Sequence, residues 1–254
     1  MQLDPAAIDA RVRLEAYDAL GSTNEVALAR ARAGERGPLW ITAARQTAGR
    51  GRRGRAWVSE PGNLYATLLL SDPSPPQRAP ELSFVAALAV HDAILRLAPA
   101  LAARAHIKWP NDVLVDGAKA AGILIEGESV SGRPTAIAVG IGINCASHPP
   151  ATAFPATDLA GLGFAVAPQS LFPVLSATML DRLAQWDGGD GFASIRADWL
   201  QRAGGLGGRL GVLLGEERLE GCFEALDHDG RLILRLDDAS ARTIAAGDVF
   251  MGAP

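Results

Sequence analysis

Apolar residues in this chain are grouped into segments of helical length that are separated by shorter segments of strand length. Four segments predict helices. The first begins near Ser22 or Thr23, whose hydroxyl would accept hydrogen bonds from the free N–H groups of the first helical turn. The other three cover residues 81–97, 169–185 and 191–201.

Six shorter apolar segments predict β-strands, at residues 39–43, 64–70, 105–108, 113–115, 121–126 and 135–143. Asp116 and Gly117 separate two of these segments, and Asp-Gly is a hairpin turn signal. Consecutive hairpins favour a mixed β-sheet with helices on one face. The predicted fold class is therefore α+β rather than a doubly wound parallel sheet.

The pattern changes after the glycine pair at residues 204–205. Five short segments of alternating polarity follow, at residues 210–214, 219–226, 232–236, 241–245 and 249–251. Short strands that are separated by turn sequences predict a small β-barrel appended to the main domain. We therefore divide the chain into residues 1–204 and residues 205–254, with the boundary near residues 204–208.

The composition is that of an ordinary globular protein. Of the 254 residues, 48% are hydrophobic and 20% are charged, and the net charge of −4 gives no global attraction to nucleic acid or to a membrane surface. Asp4, Asp9 and Arg11 stand where the apolar part of a secretory signal would lie. Residues 82–97, the longest apolar stretch, are too short and too charged to span a bilayer. We expect a cytoplasmic protein with reduced cysteines.

The most informative segment is the run Arg-Gln-Thr-Ala-Gly-Arg-Gly-Arg-Arg-Gly-Arg-Ala-Trp at residues 45–57. Glycine lets the backbone approach a ligand closely, and arginine offers a rigid fork of donors to carboxylate and phosphate oxygens. Such a loop could wrap an anionic small molecule and order when it arrives. An Arg-Gly contact with nucleic acid and a solvated basic loop are the alternatives that the residues leave open.

A second polar segment follows the predicted strand at residues 105–108. Lys108 ends the strand, Pro110 prevents its continuation, and Asn111 and Asp112 occupy the turn. An ammonium, an amide and a carboxylate within five residues could hold a nucleotide phosphate with its magnesium. An ordinary Asn-Asp turn explains the same residues and is, taken alone, the simpler interpretation.

Glycines interrupt two predicted strands. Gly122 marks a bulge or a close approach by a ligand. Gly140 and Gly142 alternate with aliphatic residues, so one face of that strand carries no side chain and something must pack flat against it. Lys119 lies just beyond the hairpin turn and, by itself, is most simply a surface lysine.

Taken together, these segments resemble the biotin–protein ligase family over roughly residues 17–251. Five motifs occur in the family's order, which is far more specific than any one of them. They are Ser-Thr-Asn at residues 22–24, Gly-Arg-Gly-Arg-x-Gly-Arg-x-Trp at 49–57, Lys-Trp-Pro-Asn-Asp at 108–112, Lys-x-x-Gly-Ile-Leu at 119–124 and Gly-x-Gly-x-Asn at 140–144. The resemblance implies a catalytic domain like those of class II synthetases, followed by an SH3-like barrel.

The resemblance also implies an activity: ATP-dependent adenylation of biotin, then transfer of the biotinyl group to a lysine of a biotin carboxyl carrier protein, such as that of acetyl-CoA carboxylase. ATP and biotin would be substrates, and Mg²⁺ a cofactor that Asp112 helps to place. Lys119 and Arg50 would act in catalysis. The implied biotin-binding residues are Ser22, Thr23, Asn24, Gln46, Arg50, Gly51, Arg52, Lys119, Gly122, Gly140 and Gly142. The implied ATP-binding residues are Arg52, Arg55, Trp57, Lys108, Asn111 and Asn144.

Some members of the family carry an N-terminal DNA-binding helix-turn-helix and act as repressors. About twenty residues precede Ser22, which is too few for a three-helix module. We therefore expect a ligase without repressor activity that binds neither DNA nor a membrane. The resemblance also suggests a homodimer. Lipoate–protein ligase is the nearest alternative, and the intact arginine–glycine run argues against it. A nucleic-acid-binding protein and an inactive biotin-binding scaffold are alternatives of other classes, and the acidic net charge argues against the first of these.

Overall fold

The computed structural model describes residues 1–129, 135–150, 152 and 154–251. The α-helices in these residues are α1 (Pro5–Asp9), α2 (Thr23–Arg32), α3 (Leu82–Leu97), α4 (Pro168–Trp186) and α5 (Phe192–Gln201). The strands of the first part of the chain are β1 (Arg13–Leu20), β2 (Leu39–Gln46), β3 (Leu64–Ser71), β4 (Ala105–Lys108), β5 (Asp112–Val115), β6 (Ala118–Glu128) and β7 (Ala136–Ile143). Those of the last part are β8 (Arg209–Leu214), β9 (Glu217–Leu226), β10 (Leu232–Arg235), β11 (Ala241–Ile244) and β12 (Asp248–Met251).

Strands β1 to β7 form one sheet in the order β1-β2-β3-β7-β6-β5-β4. β1 and β2 are parallel, and the other neighbouring strands of this sheet are antiparallel. The predicted mixed sheet and α+β class are therefore confirmed. β1 was not predicted, because it is an edge strand without a buried residue and its hydrophobic signal is weak.

Helices cover both faces of this sheet, which corrects the prediction that they share one face. Ala27 of α2 packs against Ile41 and Leu69. The alternate strand positions Trp40 and Leu68 join the core on the opposite face, where α3 and α4 lie. β2 and β3 thus carry apolar residues on both sides. A continuous apolar run of this kind does not reveal which helix covers which side.

α3 is the central helix of the larger core, and eleven of its sixteen residues are buried. Phe84 of α3 packs edge-on against Phe192 of α5, with ring centroids 5.6 Å apart. The predicted buried helix is confirmed and begins one residue later than expected. Among the described residues, no helix combines the length and the apolarity that crossing a bilayer requires.

The hairpin between β5 and β6 turns at Asp116 and Gly117, whose φ angles are 51° and 76°. Two positive φ angles are what a tight two-residue hairpin turn requires, and Asp-Gly meets this requirement. β6 begins three residues earlier than predicted, so Lys119 lies inside the strand. The pairing register with β5 shifts at Ala120, which forms a bulge close to Gly122.

Strands β8 to β12 form a separate antiparallel sheet in the order β11-β10-β9-β8-β12. The five predicted C-terminal strands are confirmed, and the arrangement is consistent with a small barrel. The sheet docks on the rest of the protein at the turn between β9 and β10, where the Trp109 indole N–H donates a hydrogen bond to the Gly230 carbonyl oxygen at 3.0 Å. The domain boundary near residues 204–208 remains a prediction.

We predict that Gly230→Ala lowers the free energy of unfolding by about 2–4 kcal/mol, since it adds backbone strain and a steric clash. Gly230 has a φ of +78°, and a Cβ there would lie 2.9 Å from Phe84 and 3.1 Å from Phe192. Gly215→Ala is the matched control, because Gly215 has a φ of +63° but nothing within 4 Å of a new Cβ. It should lose only the conformational part, about 1–2 kcal/mol. Urea denaturation measures both values, and equal losses would contradict tight docking at this turn.

Candidate active site

One cavity of about 440 Å³ gathers every residue that the sequence predicted for the site. It is lined by the start of α2, the loop after β2, the turn between β4 and β5, and the facing strands β6 and β7. The predicted residues in its wall are Ser22, Thr23, Asn24, Gln46, Arg50, Gly51, Arg52, Arg55, Trp57, Lys108, Asn111, Asp112, Lys119, Gly122, Gly140, Gly142 and Asn144. Their contacts with a ligand remain predictions.

At the first turn of α2, a side chain from another strand satisfies the backbone. Ser22 is the N-cap residue, but its side chain makes no capping hydrogen bond. The Thr23 amide N–H instead donates to Gln46 Oε1 at 2.8 Å. The predicted capping by Ser22 or Thr23 is therefore wrong. Gln46 Nε2 donates in turn to Ser59 Oγ at 3.0 Å, so partners on two sides fix the orientation of the Gln46 amide.

Asn24 is buried at the same end of the cavity, and all its polar atoms have partners. Its Oδ1 lies 2.7 Å from the Thr67 hydroxyl, and its Nδ2 donates to Glu126 Oε2 at 2.7 Å. The strand glycine beneath it makes this position accessible, because a Cβ at Gly140 would lie 2.3 Å from Asn24 Oδ1. Part of the bare strand face predicted for a ligand is thus covered by the protein's own Asn24.

The arginine–glycine loop, residues 49–57, folds back on the cavity. Its two ends are joined by a hydrogen bond from the Trp57 N–H to the Gly49 carbonyl oxygen at 2.9 Å. Arg52 reaches inward and donates to Asn111 Oδ1 at 3.0 Å. Burial lowers the pKa of Arg52, and the nearby Asp112 carboxylate opposes that effect. Because a guanidinium stays protonated in proteins, Arg52 brings a permanent positive charge into the cavity.

The outer arginines of this loop bind the C-terminal sheet. Arg53 and Arg55 donate to the two carboxylate oxygens of Asp248 on β12, at 2.9 Å and 2.7 Å. Burial opposes ionisation of Asp248, but Arg55 and Arg53 hold its pKa below the ordinary value. Arginines that pair with the protein's own carboxylates are less available for a nucleic-acid backbone. The geometry therefore favours the anion-loop interpretation over the nucleic-acid one.

Trp57 lies flat over the glycines of the two facing strands. A Cβ at Gly142 would lie 2.6 Å from the Trp57 ring, and one at Gly122 would lie 3.0 Å from it. The two glycines pair across β6 and β7, so they form one flat patch under the indole. Lys119 Nζ stands 5.1 Å from the ring centroid, within the range of a cation–π interaction.

The cavity contains both lysines of the chain, Lys108 and Lys119. Lys119 Nζ lies 2.6 Å from Asp112 Oδ1. Lys108 is 8% exposed, and its Nζ lies 4.0 Å from the Phe154 ring centroid. Burial lowers the pKa of Lys108; the Asp112 carboxylate opposes this shift and the Lys119 ammonium adds to it. The region around Asp112 therefore carries more positive than negative charge.

Two predicted nucleotide contacts also have a structural role. Asn111 Nδ2 donates to the Ile123 carbonyl oxygen at 2.6 Å, and Asn144 Nδ2 donates to the Thr157 carbonyl oxygen at 3.0 Å. Each amide thus joins its own turn to a neighbouring segment. Less of its hydrogen-bonding capacity is left for a ligand than the sequence suggested.

The sequence missed several residues that hold the predicted ones in place. Thr67, Ser59, Asp248 and Phe154 all lie outside the motifs, and only the tertiary fold brings them to the site. Asp248 and Phe154 line the cavity. Thr67 and Ser59 are buried behind its wall, where they hydrogen-bond to Asn24 and Gln46. A signal existed for Glu126, since strand residues two apart share a face and Glu126 follows Gly122 and Leu124 by that spacing.

Comparisons with known proteins agree with this geometry. Residues 20–144 match the Biotin/lipoate A/B protein ligase family, and residues 209–252 match the Biotin protein ligase C terminal domain. The chain is 45% identical to a biotin–acetyl-CoA-carboxylase ligase of Paracoccus denitrificans over 237 residues, which are 91% of this chain and 97% of that protein. It is 34% identical to a ligase of the same name from Mycobacterium tuberculosis, over 93% of this chain and 88% of that protein.

A solved structure shares the fold. The biotin protein ligase from Aquifex aeolicus, determined in complex with biotin and ATP, superimposes with a TM-score of 0.77 at 24% sequence identity. The match covers 95% of this chain and 99% of that one. Because both sequence segments match family domains and one relative matches along nearly its whole length, this chain belongs to the biotin–protein ligase family.

Proposed function

We propose that this chain is an ATP-dependent ligase that attaches biotin to a lysine of a biotin carboxyl carrier protein through biotinyl-5′-AMP. The observation that carries this proposal is the division of the cavity into two chemically different ends. Thr23, Asn24 and Gln46 form a neutral hydrogen-bonding end. Lys108, Lys119 and Arg52 form a cationic end. Biotin has a neutral ureido ring at one end and a carboxylate at the other, and ATP adds phosphates beside that carboxylate.

In the first half-reaction, an oxygen of the biotin carboxylate attacks the α-phosphorus of ATP. A new O–P bond forms, the bond to the bridging oxygen breaks, and pyrophosphate leaves with that electron pair. Lys119 and Arg52 stabilise the negative charge that develops on the phosphate oxygens. In the second half-reaction, the neutral amine of the acceptor lysine attacks the acyl carbon. AMP leaves, and the amine gives up one proton as the amide forms.

The arginine–glycine loop and the Trp57 side chain must both move for biotin and ATP to bind. The Trp57 ring and the tail of biotin cannot share the space over Gly142, where a Cβ would already lie 2.6 Å from the ring. We propose that Trp57 leaves this patch and stacks near the adenine of ATP. The arginine–glycine loop then shields the mixed anhydride from water until the acceptor arrives.

We propose that Asp112 helps to hold Mg²⁺ together with the phosphates of ATP. The donor chemistry fits, because Mg²⁺ prefers oxygen ligands and commonly takes one or two carboxylates in addition to phosphates and waters. Asp112 faces the cavity beside Lys119 Nζ, 2.6 Å away. When bound, the ion screens the charge of the phosphates.

Lipoate is a weaker substrate candidate than biotin for this cavity. The dithiolane ring of lipoate offers neither an N–H donor nor a carbonyl acceptor, so the hydrogen-bonding groups of Thr23 and Gln46 would lose partners. Buried polar groups without partners cost affinity. Pyrophosphate release measured with biotin and with lipoate at equal concentrations distinguishes the two functions.

The assembly and location of the enzyme are further parts of this proposal. We propose that the enzyme is a homodimer, and sedimentation velocity at assay concentration tests this oligomeric state. We also propose that it is located in the cytoplasm. Both cysteines, Cys145 and Cys222, are free thiols, as expected in a reducing compartment.

We predict that Lys119→Ala lowers kcat/KM for biotin-dependent pyrophosphate release by about 100-fold or more, because it removes a cation that stabilises the reacting phosphate. Mass spectrometry of the bound small molecule should show biotinyl-5′-AMP with the unmodified chain and none with the variant. Arg96→Ala is a suitable control, since Arg96 is an exposed residue of α3 that pairs with Asp181 at 3.2 Å. Retention of biotinyl-5′-AMP formation by Lys119→Ala would contradict the assigned role.

We predict that Lys108→Arg moves the alkaline limb of the pH profile of kcat/KM for ATP to higher pH. Burial lowers the pKa of Lys108 below the ordinary lysine value of 10.5. As pH rises through that lowered pKa, the ammonium loses its proton and its attraction for phosphate falls. Arginine stays protonated, so the variant keeps that charge. An unchanged alkaline limb would show that Lys108 does not need its charge to bind ATP.

A further inference from the structure

Glu126 is the acidic partner of two predicted site residues, and it lies two positions beyond the Lys-x-x-Gly-Ile-Leu segment at residues 119–124. It lies near the end of β6, opposite Ala138 of β7. Its carboxylate accepts a hydrogen bond from Asn24 Nδ2 at 2.7 Å and another from Arg50 Nη2 at 3.1 Å. Glu126 therefore connects the buried start of α2 with the arginine–glycine loop that covers it.

The carboxylate is the nearer of two acceptors that fix which way the Asn24 amide points, the other being the Leu124 carbonyl oxygen at 3.3 Å from Nδ2. Glu126 can only accept hydrogen bonds when ionised, so it must face the NH₂ group of Asn24. The amide oxygen then faces Thr67, whose hydroxyl lies 2.7 Å away and must donate to it. A flipped amide would set its oxygen against the carboxylate, which places two acceptors face to face.

This orientation propagates one step further, through a fully buried hydroxyl. Thr67 is 0% exposed, and its oxygen lies 2.7 Å from the Thr23 hydroxyl. Because the proton of Thr67 is committed to Asn24, Thr67 can only accept a hydrogen bond from Thr23. The Thr23 hydroxyl proton has two acceptors within the protein, the Thr67 oxygen and Gln46 Oε1 at 3.1 Å. Since Thr67 gives no proton to Thr23, the Thr23 lone pairs are left for the cavity. Linked hydrogen bonds of this kind strengthen one another in a region of low dielectric.

We propose that Glu126 is a positioning residue that sets the direction of the hydrogen-bond chain Asn24–Thr67–Thr23, so that the Thr23 oxygen accepts a ureido N–H of biotin. This inference rests on the proposed function. Through Arg50 the same carboxylate also holds the arginine–glycine loop over the ring end of the cavity. The two effects differ in strength, since Asn24 is buried whereas the side chains of Arg50 and Glu126 are 40% and 30% exposed.

The experiment measures KM for biotin and kcat in the adenylation half-reaction, together with the rate at which biotinyl-5′-AMP is released. Glu126→Ala should raise KM for biotin by about tenfold, because a charge-assisted hydrogen bond to a buried amide is lost. The kcat value should stay within about twofold, because Glu126 does not contact the reacting atoms.

Glu126→Gln separates the two effects. The glutamine carbonyl can still accept from Asn24 Nδ2, so KM for biotin should return to within about threefold of the unmodified value. The ion pair with Arg50 is absent, so biotinyl-5′-AMP should be released about two to five times faster, the range of a partly exposed ion pair. Glu128→Gln is the matched control, because Glu128 lies on the same strand and pairs with Arg32 at 2.5 Å. It should change none of the three quantities.

A second pair of variants tests the chain without changing Glu126. Thr67→Val keeps the shape of the side chain but removes the hydroxyl, so it should raise KM for biotin about as much as Glu126→Ala does. Thr67→Ser should restore the unmodified KM. These two variants decide the question if Glu126→Ala fails to fold, which thermal unfolding would reveal.

Two results would overturn the inference. One is that the KM values for biotin of Glu126→Ala and Thr67→Val equal the KM of the control Glu128→Gln. The other is a loss of kcat at unchanged KM, which would place Glu126 in the chemistry instead. If the unmodified chain forms biotinyl-5′-AMP, either result leaves the proposed function intact. An unmodified chain that forms no adenylate contradicts the proposed function itself.

Discussion

The register between β6 and β7 is the constraint on which the cavity depends. It sets Gly122 opposite Gly142 and Leu124 opposite Gly140, so three of these four positions carry no side chain. The resulting flat patch is the only way for Asn24 and the Trp57 ring to approach the sheet as closely as they do. A register shift of one residue would move these glycines to the other face of the sheet and fill the cavity with aliphatic side chains.

Charge distribution is the second organising feature. The chain is acidic overall, with a net charge of −4, yet its cavity concentrates Arg52, Lys108 and Lys119 around a few carboxylates. Burial alone disfavours the charged forms of Arg52 and Lys108, as the lowered pKa of each shows. Asp112 offsets part of this cost. An anionic ligand would offset more of it, which is the physical reason why such a cavity selects carboxylate and phosphate groups.

Contacts with the C-terminal sheet position two segments of the cavity wall. Trp109 donates to Gly230 on one side of the junction, and Asp248 binds Arg53 and Arg55 on the other. The first contact positions the turn between β4 and β5, and the second positions the arginine–glycine loop. Both of these segments line the cavity, so the C-terminal sheet takes part in shaping the site.

The sequence by itself determined the α+β class, most strands and the C-terminal sheet, and its motifs identified many of the residues that line the cavity. Glycine alternation, charged turns and hairpin signals each reflect the conformation of a single backbone segment, so such features can be predicted from local sequence. Only the tertiary structure decided that α2 covers the opposite face from α3, that Gln46 rather than Ser22 caps α2, and that Glu126, Thr67 and Asp248 hold the site. Those contacts join positions far apart in the chain. Sheet register and helix packing create these contacts, and no sequence pattern within a single segment predicts them.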